Sequence, residues 1–491
     1  MRSTTLAAGV LLACGAATLT GCASAPPASS AAAVQARSID TMGDRARNVI
    51  FFLGDGMGIN TLTATRIYAV GEAGELTIDT LPESAFVKTY SNDAQVTDSA
   101  ASMSAYMTGV KQNNGVISMS GDTLAVAPAE DGASRCPSGP TGGRPVPTLL
   151  ELAKARGLAT GIVTTTSVTD ATPAATYAHA CHRKLQNQIA AAMVPGGAGY
   201  NPALGSGIDL VFGGGLQYFQ PAASGGKRSD GRDLLAELQG RGYRVAKDAA
   251  GFAALAPSKE ATLALFAQDD LAYDAERDPV RQPSLAEMTR KAVALLGAHR
   301  GDQDGGRGFF LMVEGGLIDH ALHATRAKRA LQETAAFDAA LKAAITEVEK
   351  IDPGLKHTLI VATADHDHTL LINGYSPRSG KTTPDRPGVL GLVRALPDGK
   401  VKLDQDGAPY AILGFGTGEH RVQGSRTAQA GLTDAIVSGD DYHQEAAVRM
   451  KAGTHGGADV YLGAAGAGAE LFRGTIDNTR VFTLIKEAAG W

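Results

Sequence analysis

Three apolar, β-branched runs in this chain each lead straight into acidic or imidazole side chains. NVIFFLG runs into Asp55, GFFLMV into Glu314, and HTLIVATA into Asp365 and His366. Strands that end this way gather their polar ends along one edge of a sheet, where α/β proteins bind ligands and do chemistry. Similar runs at 160–166 and 208–212 alternate with helical stretches, the clearest from about Thr325 to Lys350, with Pro353 beyond its end. This alternation predicts a largely parallel sheet covered by helices, with a cluster of carboxylates and histidines at its rim. A cluster of that charge density needs cations to exist.

The 491 residues are 44% hydrophobic and 19% charged, ordinary for a globular chain with a large core. A net charge of -5 supplies no basic field to collect a nucleic-acid backbone, which argues against a nucleic-acid-binding surface. The first residues read as an address. Arg2 precedes a short apolar stretch from Leu6 to Leu19, and Leu19-Thr20-Gly21-Cys22 has the form of a bacterial lipobox. On that reading residues 1–21 are a signal peptide and Cys22 carries the lipid. Residues 22–45, rich in Ala, Ser and Pro, are a tether, and the chain is exported to the periplasm and anchored at the outer membrane. Ordinary cleavage near Ala23-Ser24-Ala25 is the alternative. Either way Cys136 and Cys181 remain, as a disulfide or as two buried thiols. Residues 46–491 form the main domain. Segments 115–147 and 374–450, punctuated by Gly and Pro, read as insertions, the second as an appended subdomain near the site mouth.

Asp319 and His323 are four apart, so a helix would turn both toward one cation, and the nearby Glu314 adds a hard oxygen. A surface ion pair would show the same spacing. Asp365 and His366 are adjacent, and can face one ion only if the strand has already ended in a turn. His368 is placed to orient a ligand from behind. His455 sits in GTHGG, where flanking glycines permit close backbone approach. Ser99 opens a helical run of small residues, a position that suits an ordinary N-cap or, with zinc beside it, an activated alkoxide. Asp170 and Thr172 offer hard oxygens, and Arg183 offers a fork for phosphate.

Six motifs, GDGMG, TDSAAS, DATPAA with Arg183 downstream, VEGGLIDHALH, TADHDH and THGG, occur in the order found in alkaline phosphatases, which the chain resembles from about residue 46 onward. The resemblance implies a three-layer sandwich with a mostly parallel central sheet, helices on both faces and an inserted crown subdomain at about 374–450. It further implies two Zn2+ and one Mg2+. One zinc falls to Asp319, His323 and His455, and the other to Asp55, Asp365 and His366. Asp55 would bridge to the magnesium, completed by Thr172 and Glu314, with Asp170 acting through water. Ser99 is then the nucleophile, Arg183 the phosphate clamp, and His368 a supporting histidine. Some members of the family pair an Asp at position 170 with a Lys at position 320, and others have His at both; Asp170 with His320 lies between them. The implied reaction is hydrolysis of small phosphomonoesters through a phosphoserine, with a homodimer as the assembly common in the family. The family's diesterases offer Thr as nucleophile and lack the arginine, so Ser99 and Arg183 favour monoesters. A non-catalytic lipoprotein that binds phosphate or metal is the competing class, and it would need no nucleophile beside two metals.

Overall fold

The structure is a computed structural model that describes residues 45–491 apart from 131, 140, 141 and 299–307. The signal peptide, the lipid on Cys22 and nearly all of the tether lie outside the described residues. The strands in chain order are β1 (Asn48–Gly54), β2 (Glu83–Lys88), β3 (Ala159–Ser167), β4 (Leu210–Gly214), β5 (Arg244–Ala246), β6 (Thr262–Leu265), β7 (Phe309–Gly315) and β8 (Thr358–Ala364). Short strands follow at β9 (Asp367–His368), β10 (Leu370–Ile372), β11 (Leu413–Gly418), β12 (Ala446–Arg449) and β13 (His455–Gly456). Two more, β14 (Val460–Gly466) and β15 (Gly474–Asp477), close the series.

Ten of these make the central sheet in the order β15-β2-β14-β8-β1-β7-β3-β4-β6-β5. From β8 to β5 every neighbouring pair is parallel, and β14 alone runs against its neighbours. The three runs that opened the sequence argument are β1, β7 and β8, side by side and buried along their whole length. They are mostly apolar because both faces are covered. Phe51 reaches Tyr106 on one face at 5.5 Å between ring centroids, and its neighbour Phe52 reaches Phe337 on the other at 5.8 Å. One helical layer holds Ser99–Thr108, Leu149–Ala155, Ala171–Tyr177 and Asn478–Ala489, and the other Ile59–Val70, Leu285–Ala298, Leu317–His323 and Ala327–Val348.

Strand register sets the site. Gly54 pairs with Ala364 and with Gly315, so the next residues of β1 and β8, Asp55 and Asp365, emerge side by side. Glu314 lies one step back on β7, opposite Leu53 and Thr164. The helix expected near Thr325 begins at Ala327, because Thr325 adopts a left-handed φ of 53° that separates it from the helix Leu317–His323.

Segment 115–147 is mostly irregular and is pinned to the chain ahead of Arg183. Ile117 and Ala180 exchange backbone hydrogen bonds of 2.9 and 3.0 Å, and Cys136 is disulfide-bonded to Cys181. Segment 374–450 supplies β11 and β12 to a small separate sheet with β10. That sheet is tied to the helices Leu317–His323 and Ala327–Val348 through Gln444, whose backbone N–H donates to Thr325 O and whose side-chain Oε1 accepts from Ala327 N, both at 2.9 Å.

Gly214 ends β4 where the chain passes close to another loop. A methyl group added there would sit 1.9 Å from the Asp269 carbonyl oxygen, with no side chain to yield. Gly214→Ala is expected to cost about 1–3 kcal/mol, as overpacking against backbone does. The expected readout is a lower thermal unfolding midpoint, and an unchanged midpoint would show that the loop moves freely.

Candidate metal centre

The GDGMG turn follows β1, and its second glycine has a steric reason. Gly56 has φ +68°, and a Cβ there would stand 2.7 Å from His368 Cδ2 and 3.2 Å from Asp319 Oδ1. The bare backbone lets the turn lie against the cluster, and Gly56 N donates to Asp365 Oδ1 at 2.9 Å. Because β8 ends at Ala364, the chain turns at Asp365, and His366 Nε2 comes within 3.1 Å of Asp365 Oδ2 and 3.4 Å of Asp55 Oδ1. Ser99, at the first turn of a ten-residue helix capped by Asp98, places its Oγ 3.5 Å from Asp55 Oδ1 and 3.4 Å from His366 Nε2.

A second group adjoins the first. Ligand atoms of Asp319, His323, His368 and His455 lie within 4.8 Å of one another, as do those of Asp55, Asp319 and His366, so Asp319 belongs to both. Asp319 and His323 share a helix face, with His323 Nε2 3.3 Å from Asp319 Oδ2. His368 Nε2 is 2.5 Å from Asp319 Oδ1 and so holds the carboxylate from behind. His323 Nδ1 donates to Gly453 O at 2.6 Å and His455 Nδ1 to Thr97 O at 2.9 Å. Those bonds leave both Nε2 atoms as bare lone pairs, yet the two stand 3.1 Å apart. Two acceptors facing at that distance fit a cation between them.

A third set of donors surrounds Glu314. Its Oε2 accepts from the Thr164 hydroxyl and, at 3.1 Å, from Thr166 Oγ1. Its Oε1, Thr172 Oγ1 and Asp365 Oδ2 are all buried without a hydrogen-bond partner. Buried orphans of this kind cost free energy unless something fills the gap. Hard oxygens from a carboxylate and a hydroxyl suit a hard divalent ion.

Electrostatics agree. Burial, then Asp365, Asp319 and Glu314, push the Asp55 carboxyl well above its ordinary range. Burial pushes Asp365 up to about 7 and Glu314 up to about 8, the latter against its threonine hydrogen bonds. Burial drives His366 well below its usual value and His455 down to about 4, so both rings are neutral donors. Burial opposes the ionised form of Asp319, but His368, His323 and His455 together hold its carboxyl well below the usual range. Neutral imidazoles beside carboxylates that resist ionisation form a donor set that a divalent cation completes.

Arg183 stands at the edge, held by Asp98 Oδ2 at 3.3 Å and Asp170 Oδ1 at 3.4 Å. Asp98 also accepts from Ala101 N and Gly115 N, both at 3.0 Å. Asp98, Thr164 and Thr166 were not picked out from the sequence, because nothing in a short acidic or threonine stretch reveals a partner more than fifty residues away. His320 pairs with Asp270, its Nδ1 3.4 Å from Asp270 Oδ2. Asp270 is another residue that sequence spacing does not single out.

Fold and donors together define a class: an α/β protein with candidate metal-binding groups beside a serine at the carboxyl ends of parallel strands. The profile of the alkaline phosphatase family matches residues 46–491. An alkaline phosphatase of Gadus morhua is 35% identical over 472 residues, covering 90% of this chain and 91% of that protein. The alkaline phosphatase of Thermus thermophilus superposes with a TM-score of 0.63 at 25% identity, over 92% of each chain. A histidine-to-aspartate mutant of the alkaline phosphatase from the bacterium TAB5, solved with Mg bound, gives 0.62 at 25% identity over 91% of this chain and 99% of that one. The chain belongs to the alkaline phosphatase family.

One residue joins the loop before Ser99 to the chain at Arg183. Asn114 Oδ1 accepts from Asp98 N at 3.0 Å, Asn114 Nδ2 donates to Val96 O at 3.2 Å, and Gly115 O accepts from Arg183 N at 2.7 Å. Asn114→Ala is expected to weaken phosphate binding about tenfold, the loss of one to two hydrogen bonds' worth of positioning. Asn114→Asp, which keeps the acceptor, should recover most of it. Equal inhibition of wild type and Asn114→Ala by inorganic phosphate would contradict that role.

Proposed function

We infer that this chain hydrolyses phosphate monoesters through a phosphoserine on Ser99 and releases inorganic phosphate. The observation that carries the reading is the Ser99 hydroxyl, lying between Asp55 and His366 at the head of a helix. Asp319, His323 and His455 would hold one Zn2+, and Asp55, Asp365 and His366 the other. Glu314 and Thr172, with Asp55, would hold Mg2+, toward which Asp170 acts through water. The ions, when bound, neutralise the carboxylates, lower the pKa of nearby hydroxyl groups and offset charge on the leaving oxygen.

The protein's own residues do the rest. Ser99 Oγ gives up its proton to solvent and attacks phosphorus in line. The bond to the alcohol oxygen breaks, the phosphoryl group passes to the serine, and the alkoxide takes a proton from water and leaves as the alcohol. The Arg183 guanidinium, fixed by Asp98 and Asp170, donates its parallel N–H groups to the phosphoryl oxygens. The N-terminal amides of the helix Ser99–Thr108 favour the same negative charge. Water entering on the vacated side then breaks the phosphoserine and restores the hydroxyl. None of these contacts reads the alcohol, which supports a broad range of monoesters.

An exported protein suits the Cys136–Cys181 bond, since disulfides persist in oxidising compartments. Among the described residues no helix is long and apolar enough to cross a membrane. Attachment through a lipid on Cys22, a periplasmic address and pairing of two copies complete the proposal.

Ser99→Ala is expected to lower turnover by about three orders of magnitude or more while zinc content stays near wild type, measured by chromogenic ester hydrolysis and metal analysis. Activity close to wild type would remove Ser99 from the reaction. A second expectation concerns pH. Asp365 and Glu314 have folded-state values raised to about 7 and about 8, so between ordinary carboxylate values and pH 8 the folded metal-free protein binds more protons than the unfolded chain. Its stability therefore falls as pH rises through that window. Zinc and magnesium remove the effect by replacing those protons, so the gap in thermal midpoint between loaded and chelated protein should widen from pH 5.5 to pH 8. A constant gap would mean that these carboxylates do not take up the ions.

A further inference from the structure

Segment 374–450 gathers three arginines around one cavity that the reaction above does not use. A cavity of about 190 Å3 opens there, lined in part by Arg378, Arg386, Arg394, Ser376, Ser379 and Asp434. Three arginines thus line the cavity with one carboxylate, and that carboxylate is already engaged. Asp434 pairs with Arg394 and also accepts from Leu392 N at 2.8 Å. Arg394 itself is fixed, with Nη1 donating to Gly399 O at 3.1 Å and its backbone N to Ser376 Oγ at 3.2 Å. The Ser376 hydroxyl accepts in that bond, so its proton is free to donate into the cavity.

The other two arginines are under-neutralised. Arg378 Nε comes no nearer than 3.9 Å to Glu72 Oε2, and three-quarters of its side chain is exposed. The Glu72 carboxylate is already taken up by the amides of Ser379 and Gly380. Among the described residues no carboxylate stands within 4.0 Å of Arg386. Planar guanidinium forks with spare donors, converging with serine hydroxyls on one small cavity, recognise tetrahedral oxyanions by charge and by geometry.

The cavity's rim is held rather than loose. Glu72 grips residues 379 and 380, and Thr382 N donates to Tyr68 O at 3.0 Å, so the loop is fastened beyond the last turn of the helix Ile59–Val70. That helix starts just after the turn carrying Asp55. Twelve helical residues span about 18 Å, which separates the cavity rim from the metal centre.

We propose that this cavity is an accessory oxyanion site that takes a phosphate group, distinct from the site at Ser99. The chemistry is the same for free inorganic phosphate and for one phosphate of a larger, multiply phosphorylated molecule. Binding there does not depend on Ser99 being the nucleophile, so the two readings can fail separately.

The test is equilibrium dialysis of the metal-loaded full chain against radiolabelled inorganic phosphate. Wild type should bind two phosphates per chain. The Arg378→Ala/Arg386→Ala double variant should bind one, while its kcat and KM for a small chromogenic monoester stay within about twofold of wild type. Arg183→Ala should lose the other phosphate and keep the cavity's. A wild-type stoichiometry of one, or two phosphates retained by the double variant, overturns the proposal. Competition with a polyphosphate chain separates the sources. A larger phosphorylated occupant predicts displacement of the cavity's phosphate at much lower polyphosphate concentration than by unlabelled phosphate, and free phosphate predicts no such advantage.

Discussion

Mutual repulsion among buried acids governs this structure. Asp55, Glu314, Asp319 and Asp365 emerge within one turn of the ends of three neighbouring strands, and all four are buried. Left alone, the first, second and fourth have carboxyls pushed above the ordinary range, Glu314 to about 8 and Asp365 to about 7, because burial and their neighbours disfavour charge. Only Asp319, ringed by His323, His368 and His455, is held in the ionised form by the protein itself. The sheet keeps these groups together because its core fixes β1, β7 and β8 whatever their ends prefer. Strain of that kind is tolerable where a divalent ion resolves it.

The surrounding residues each limit one degree of freedom. Backbone carbonyls of Gly453 and Thr97 fix the tautomers of His323 and His455, so the lone pairs turn inward. Thr164 and Thr166 hold one oxygen of Glu314 and leave the other free. Asp98 serves as helix cap, as anchor for Gly115 and as partner for Arg183, so it ties the helix headed by Ser99 to Arg183. Gly56 supplies the close approach that a side chain would forbid.

Much of this was legible in the chain. The runs before Asp55, Glu314 and Asp365 read as buried strands because apolar β-branched stretches of that length have few other fates. The spacing of Asp319 and His323 read as a helix face, and the structure has them on one. What did not read were the pairings between distant segments. The antiparallel course of β14 and the partnership of His320 with Asp270 depend on how the chain returns to itself. The same is true of the arginine-lined cavity in segment 374–450. Local pattern carries no record of that return.

The sequence by itself settled which side chains end the strands and which chemistry those side chains can support, since residue type and period are local properties. It also settled membership of a family, because six motifs in one order leave little freedom. Tertiary structure alone decided that Gly54 stands level with Ala364 and Gly315, which turns separate acids into one centre. It alone decided that two histidine nitrogens face each other across 3.1 Å. Those facts are distances between residues far apart in the chain, and distance is what folding adds.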